Sequence, residues 1–296
     1  MKLYFIFITM LFLTCSFLSA SEVEYIAFVS DRSGSRQIYI ISPSGGNEKA
    51  IFNFFDVAIE PVWSPLGGVI AFTGIREGRS DIYLSEYPFE KWKQLTPKNL
   101  GFARSPQWSF DGTKIIFTVD TGKTNAIYAI NPDGTNPAKL IEAGTLEHPS
   151  LSPDNTLLLF DDIIDNQREI YLYNLTSQTE LQNLSEIWAD DIQPRWSPKG
   201  DKIAFTTSRD GDYEIYFMNP LGKEQKNITN DPYYNDKDPA WKADGEWLTF
   251  CSDRDGDYEI FIMDKDGKHQ KALTFNVFQD TQPSWGKVTL QDEESK

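Results

Sequence analysis

Beyond residue 20 the chain alternates short apolar runs with clusters of Gly, Pro, Asp, Asn and Ser, and no run is long enough to sustain a helical stripe. Runs of this length bounded by turn residues predict β-strands. The runs are also copies of one another. The phrase PRWSPKGDKIAFTTSRDGDYEIYFMNPLGKEQKNIT starts at Pro194 and PAWKADGEWLTFCSDRDGDYEIFIMDKDGKHQKALT at Pro239, with weaker copies from Pro61, Pro106 and Pro149. One position recurs as Trp63, Trp108, Leu151, Trp196, Trp241 and Trp285, and another as Phe28, Phe72, Phe117, Phe160, Phe205 and Phe250, about 45 residues apart each time.

Each unit holds four extended runs, A to D. Run A ends in Trp-Ser and meets run B through turns such as Ser64-Pro65-Leu66-Gly67 and Ser197-Pro198-Lys199-Gly200, where proline pre-sets φ and the final glycine can adopt a left-handed conformation. Run B is the Ile-Ala-Phe segment and run C the Ile-Tyr segment, at Tyr39, Tyr83, Tyr128, Tyr171, Tyr216 and, as a variant, Phe261. Turns such as Asn131-Pro132-Asp133-Gly134 lead into run D. Runs B and C are apolar on both faces, as strands packed between two neighbouring sheets must be. The N-terminal side opens on a run B (Tyr25 to Phe28) and the C-terminal side supplies a lone run A (Pro283 to Trp285). The expected fold is therefore all-β: a six-bladed β-propeller of four-stranded antiparallel blades, closed by N-terminal strands B to D plus C-terminal strand A. Its expected limits are residues 21–286, followed by a polar tail at 287–296.

Ahead of this, Lys2, an apolar run from Leu3 to Leu13 and the small-residue stretch to Ala20 read as a signal peptide at residues 1–20, cleaved before Ser21. Phe12, Leu13 and Thr14 make a poor approach to lipid anchoring at Cys15. The expected compartment is periplasmic or extracellular. Export would leave Cys251 as the only cysteine, without an intramolecular disulfide and buried in an apolar strand pattern.

Charge and chemistry then remove whole classes of function. With 28 Lys+Arg against 44 Asp+Glu the formal net charge is -16, which disfavours a nucleic-acid partner. The only histidines are His148 and His269, so multi-histidine metal sites are excluded, and no G-x-S-x-G nucleophile motif is present. His148 falls at the start of a strand A near the channel with no evident partner, and His269 in a solvent-facing turn. The acidic phrase from Asp253 to Glu259 resembles a calcium loop only in composition, because its glycine is misplaced for an EF-hand. Asn174, Asn183 and Asn227 match the glycosylation acceptor pattern and are assigned no role.

WSPKG, IAF, SRDGDYEIY and the closing NIT resemble the WD-like propeller repeat of the TolB family of Gram-negative envelope proteins, over essentially all of residues 25 to 286. Members of that family carry a separate N-terminal domain ahead of the propeller; with strand B starting at Tyr25, the resemblance implies the propeller without it. It implies a non-enzymatic, exported protein-binding adaptor or scaffold, needing no cofactor or metal. A carbohydrate- or cell-wall-binding propeller, or an inactive relative of a propeller enzyme, is the alternative. The expected partner is another envelope protein, engaged through a basic or peptide segment, with the chain itself a monomer. The D-to-A loops are irregular and rich in aromatics, so the expected partner-binding residues are Phe54, Phe55, Trp188, Tyr233, Tyr234 and Phe278, with Asp191, Asp236 and Asp280 as carboxylates that select a basic segment.

Overall fold

The computed structural model describes residues 21–52, 54–164, 166–178, 181–185 and 188–290. Residues 1–20, which hold the expected signal peptide and Cys15, and the last six residues lie outside them. The chain first lays down β1 (Ser21–Ser30), β2 (Gln37–Ile41) and β3 (Lys49–Ala50). Five four-stranded blades follow: β4–β7 between Val57 and Gln94, β8–β11 between Phe102 and Ala143, β12–β15 between Glu147 and Asn183, β16–β19 between Asp191 and Asn227, and β20–β23 between Asp236 and Ala272. Finally β24 (Asp280–Leu290) pairs with β1, giving a sixth sheet in the order β24-β1-β2-β3. All described pairings are antiparallel, and strands A to D of the sequence appear in that order in each blade.

The repeated Phe explains why the blades stack. Phe28, Phe72, Phe117, Phe160, Phe205 and Phe250 have no exposed surface, and each stands across from the strand C aromatic of its own blade, as Phe72 does from Tyr83. Burying such a ring stabilises by about 1.5–3 kcal/mol. Alternate residues of strand B face opposite neighbours: Phe72 packs with Ala27 and Ile38 of the sixth blade, while Ala71 packs with Ile115 and Phe117 of the second. Double-sided burial is thus the physical content of the apolar runs.

The sixth sheet starts at the expected limit of residue 21, ahead of the repeated run B, and ends beyond the expected 286. β1 begins at Ser21 rather than Tyr25, and β24 continues to Leu290 instead of stopping at 286, because Ser21 to Tyr25 pair in register with Leu290 to Gly286. Val288 is buried, and Val23, Tyr25 and Leu290 cover the same apolar cluster. Gly286 is required here: a Cβ on it would stand 2.0 Å from Trp63 Cγ.

Candidate functional site

The six strands A line the axis. Each carries a bulge before its proline, and the bulged residue has positive φ although none is glycine: Glu60 (55°), Ser105 (54°), His148 (47°), Gln193 (57°), Asp238 (57°) and Gln282 (53°). A backbone of this kind costs about 1–3 kcal/mol per residue and persists only where neighbours over-determine it. Side chains passing from blade to blade do so. The Glu60 N–H donates to Gln282 Oε1 at 3.0 Å, Ser105 N–H to Glu60 Oε2 at 2.7 Å, Asp238 N–H to Gln193 Oε1 at 3.2 Å, and Gln282 N–H to Asp238 Oδ2 at 3.2 Å. In the third blade the link is indirect, because Asp161 accepts from Gln193 N–H at 3.0 Å and holds His148 Nδ1 at 2.7 Å. The structure therefore corrects the expectation of an unpartnered His148. Asp161, fully buried and also paired with Arg168, occupies the strand B position that is Thr73, Thr118 or Thr206 elsewhere. Its negative charge raises the His148 pKa against the opposing effect of burial, and His148 and Arg168 lower that of Asp161.

Above this ring, on the side of the A-to-B turns, the strands A enclose a funnel of about 170 Å³ whose wall includes Trp63, Trp108, Trp196, Trp241 and Trp285. The tryptophans of this wall were visible in the sequence as a repeated position, though not as a wall; the polar ring below it was hidden, since its members share only a place immediately before a proline.

The opposite face is built by the D-to-A and B-to-C loops. Here Trp188 is 92% exposed, Tyr233 82% and Phe54 60%, with Tyr234 and Phe278 also open. Phe275 and Val277, which the sequence reading passed over, are 73% and 83% exposed beside Phe278. Phe55 is different: it is buried against Phe72, Tyr83 and Trp92, in space left free by Gly74. Phe55 is a core residue.

Asp191, Asp236 and Asp280 are fully buried, which corrects their expected placement as open carboxylates at the channel mouth. Each meets an arginine of its own blade: Arg209 at 3.0 Å, Arg254 at 2.7 Å and Arg32 at 2.7 Å, respectively. Burial nevertheless raises the Asp191 and Asp236 carboxyls above the ordinary range. The physical reason is legible in hindsight, since the same position is Ala58, Ala103 or Leu146 in the first three blades and is buried there too. Carboxylates reach solvent on this face from both loop sets: Asp56 in a D-to-A loop is exposed, as are Asp210 and Asp255 in B-to-C loops, with Asp212 and Asp257 partly so. The Asp253–Glu259 loop closes on protein groups: Asp253 accepts from the Asn235 N–H at 2.7 Å, and Glu259 accepts from Asn276.

Two of the aromatic loops are tied down by buried glutamates at the start of strand C. Glu214 accepts from Thr229 Oγ1 and, at 2.8 Å, from the Asp231 N–H just ahead of Tyr233; Glu259 accepts from the Asn276 N–H between Phe275 and Val277. Burial pushes both carboxyls up to about 7 against these donors, with Asp236 adding to the rise at Glu214 and Asp280 at Glu259.

Comparison with known proteins places this architecture. The Protein TolB homolog of Chlorobium luteolum is 29% identical over 156 residues, or 52% of this chain and 35% of that relative. The Tol-Pal system protein TolB of Vesicomyosocius okutanii is 28% identical over 112 residues, 37% of this chain and 26% of its own length. The matched segments thus span about a third or less of these curated relatives. The crystal structure of TolB from Acinetobacter baumannii superposes with a TM-score of 0.75 at 18% identity, covering 89% of this chain and 66% of that one, a likeness of fold. A model of the TolB beta propeller domain matches residues 20–182 and 133–289, so the six blades that form the polar ring, the funnel and the aromatic face mark the chain as a member of the TolB β-propeller domain family.

Proposed function

We propose that this chain is an exported, non-enzymatic adaptor of the cell envelope that binds another protein through the face made by its D-to-A loops. The observation that carries the reading is the concentration of large exposed apolar side chains there: Phe54, Trp188, Tyr233, Phe275 and Val277 project from four loops on one side of a rigid ring. Rigid aromatics on loops held by a stiff scaffold provide hot-spot area at low entropic cost. Likeness to a Tol-Pal system protein supports a partner within the envelope. The partner's basic segment is selected by the B-to-C carboxylates Asp212, Asp255 and Asp257, since the three strand A aspartates are spent on arginine. Affinity capture from envelope extract tests the reading. The variant Trp188→Ala/Tyr233→Ala/Tyr234→Ala should lose the captured protein while melting like wild type, because exposed substitutions shift stability by only about 0.5 kcal/mol. Undiminished capture by the folded triple variant would refute it.

A further inference from the structure

The funnel lies on the other face, and its chemistry is unequal around the ring. One step above the bulged residues the strands A contribute Val62, Gln107, Ser150, Arg195, Ala240 and Ser284, so a single blade supplies the only charge at that level. Among the described residues the Arg195 guanidinium makes one hydrogen bond, from Nη1 to the Pro194 carbonyl at 3.0 Å. A guanidinium has five N–H donors. The carboxylates that attract it, Asp238, Asp161 and Glu60, are already engaged. Glu60 accepts from Ser105 and Thr73, Asp238 from Gln193, Gln282 and Cys251, and Asp161 from His148, Arg168 and Gln193. The three carboxylates nearest Arg195 thus already accept hydrogen bonds from other groups, whereas most of the guanidinium donors have no partner among the described residues.

We propose that this funnel binds a small organic acid, its carboxylate paired with Arg195 and its apolar body lying against the proline and indole wall. Guanidinium and carboxylate match as a two-point fork, and the interaction strengthens where water is excluded. A volume of about 170 Å³ lies below the ~300–1,000 Å³ of pockets for drug-sized ligands, which restricts the occupant to one ring or a short chain. The net charge of -16 does not forbid an anion, because surface charges farther than about 8 Å are largely screened at physiological salt; the nearer carboxylates Asp238, Asp161 and Glu60 oppose it, Asp161 less so because Arg168 pairs with it.

Benzoate and its uncharged counterpart benzamide are suitable probes, read by the fluorescence of the lining tryptophans in the full chain. Benzoate should give a saturable change and benzamide none. Arg195→Gln should weaken benzoate at least tenfold, and Tyr233→Ala, on the opposite face, should leave it unchanged. Equal responses to both probes, or no saturation by about 10 mM benzoate, would overturn the proposal. If Arg195→Gln does not fold, Arg195→Lys keeps the charge and removes the fork; a folded Lys variant with wild-type affinity would overturn it equally.

Discussion

At the residue scale, what a buried carboxylate does is set by the cation facing it. Asp280 has no exposed side-chain surface, and its partner Arg32 comes from the other end of the chain, so this pair is made inside the one blade assembled from both ends. Removing one member of a buried ion pair strands the other, which costs about 3–5 kcal/mol, whereas replacing both with apolar groups is often neutral. Arg32→Ala should therefore lower the denaturant midpoint strongly, and Arg32→Met/Asp280→Leu should recover most of it. A double variant as unstable as Arg32→Ala would contradict the pairing. These aspartates are conspicuous in the sequence while their burial is not, because irregular loop composition says nothing about depth. Phe55 is hidden for the same reason: it adjoins exposed Phe54 in sequence, yet Gly74 opens a core site for it.

At the scale of the element, the cores of strands B and C were legible because two-sided burial writes itself as an unbroken apolar run. The strand A bulges were not, since Glu60, Ser105, His148, Gln193, Asp238 and Gln282 have no chemistry in common and share only a place before proline and a positive φ. Two strand C glutamates carry a pH response near neutrality. Glu214 and Glu259 titrate near 7 in the folded chain against 4.5 ordinarily, so between those values the folded state holds protons that the unfolded state has released. Their contribution to stability is full below about pH 4.5 and falls as pH rises through 7. Wild-type melting temperature should drop from pH 5 to pH 8 by more than that of Glu214→Gln/Glu259→Gln, with the difference read by thermal denaturation in matched buffers. Parallel profiles would show that these carboxyls titrate normally.

For the whole molecule, the period of the repeat announced six blades, and six sheets are present. What the period could not set was the reach of β1 and β24, because residues 21–24 and 287–290 fall outside the repeated phrase and are recruited by pairing with each other. Ser21 stands directly across from Leu290 in that antiparallel pair. Two residues so placed can be joined by a two-residue Asn-Gly hairpin turn. The order of blades along the gene is then arbitrary with respect to the ring: a circular permutant linked Leu290-Asn-Gly-Ser21 and opened at Lys98–Asn99, between the first and second blades, should fold to the same circular dichroism spectrum and melt at least as high as residues 21–290. Cutting at that same loop without the new linkage should not, because β24 would then have to find β1 from a separate fragment.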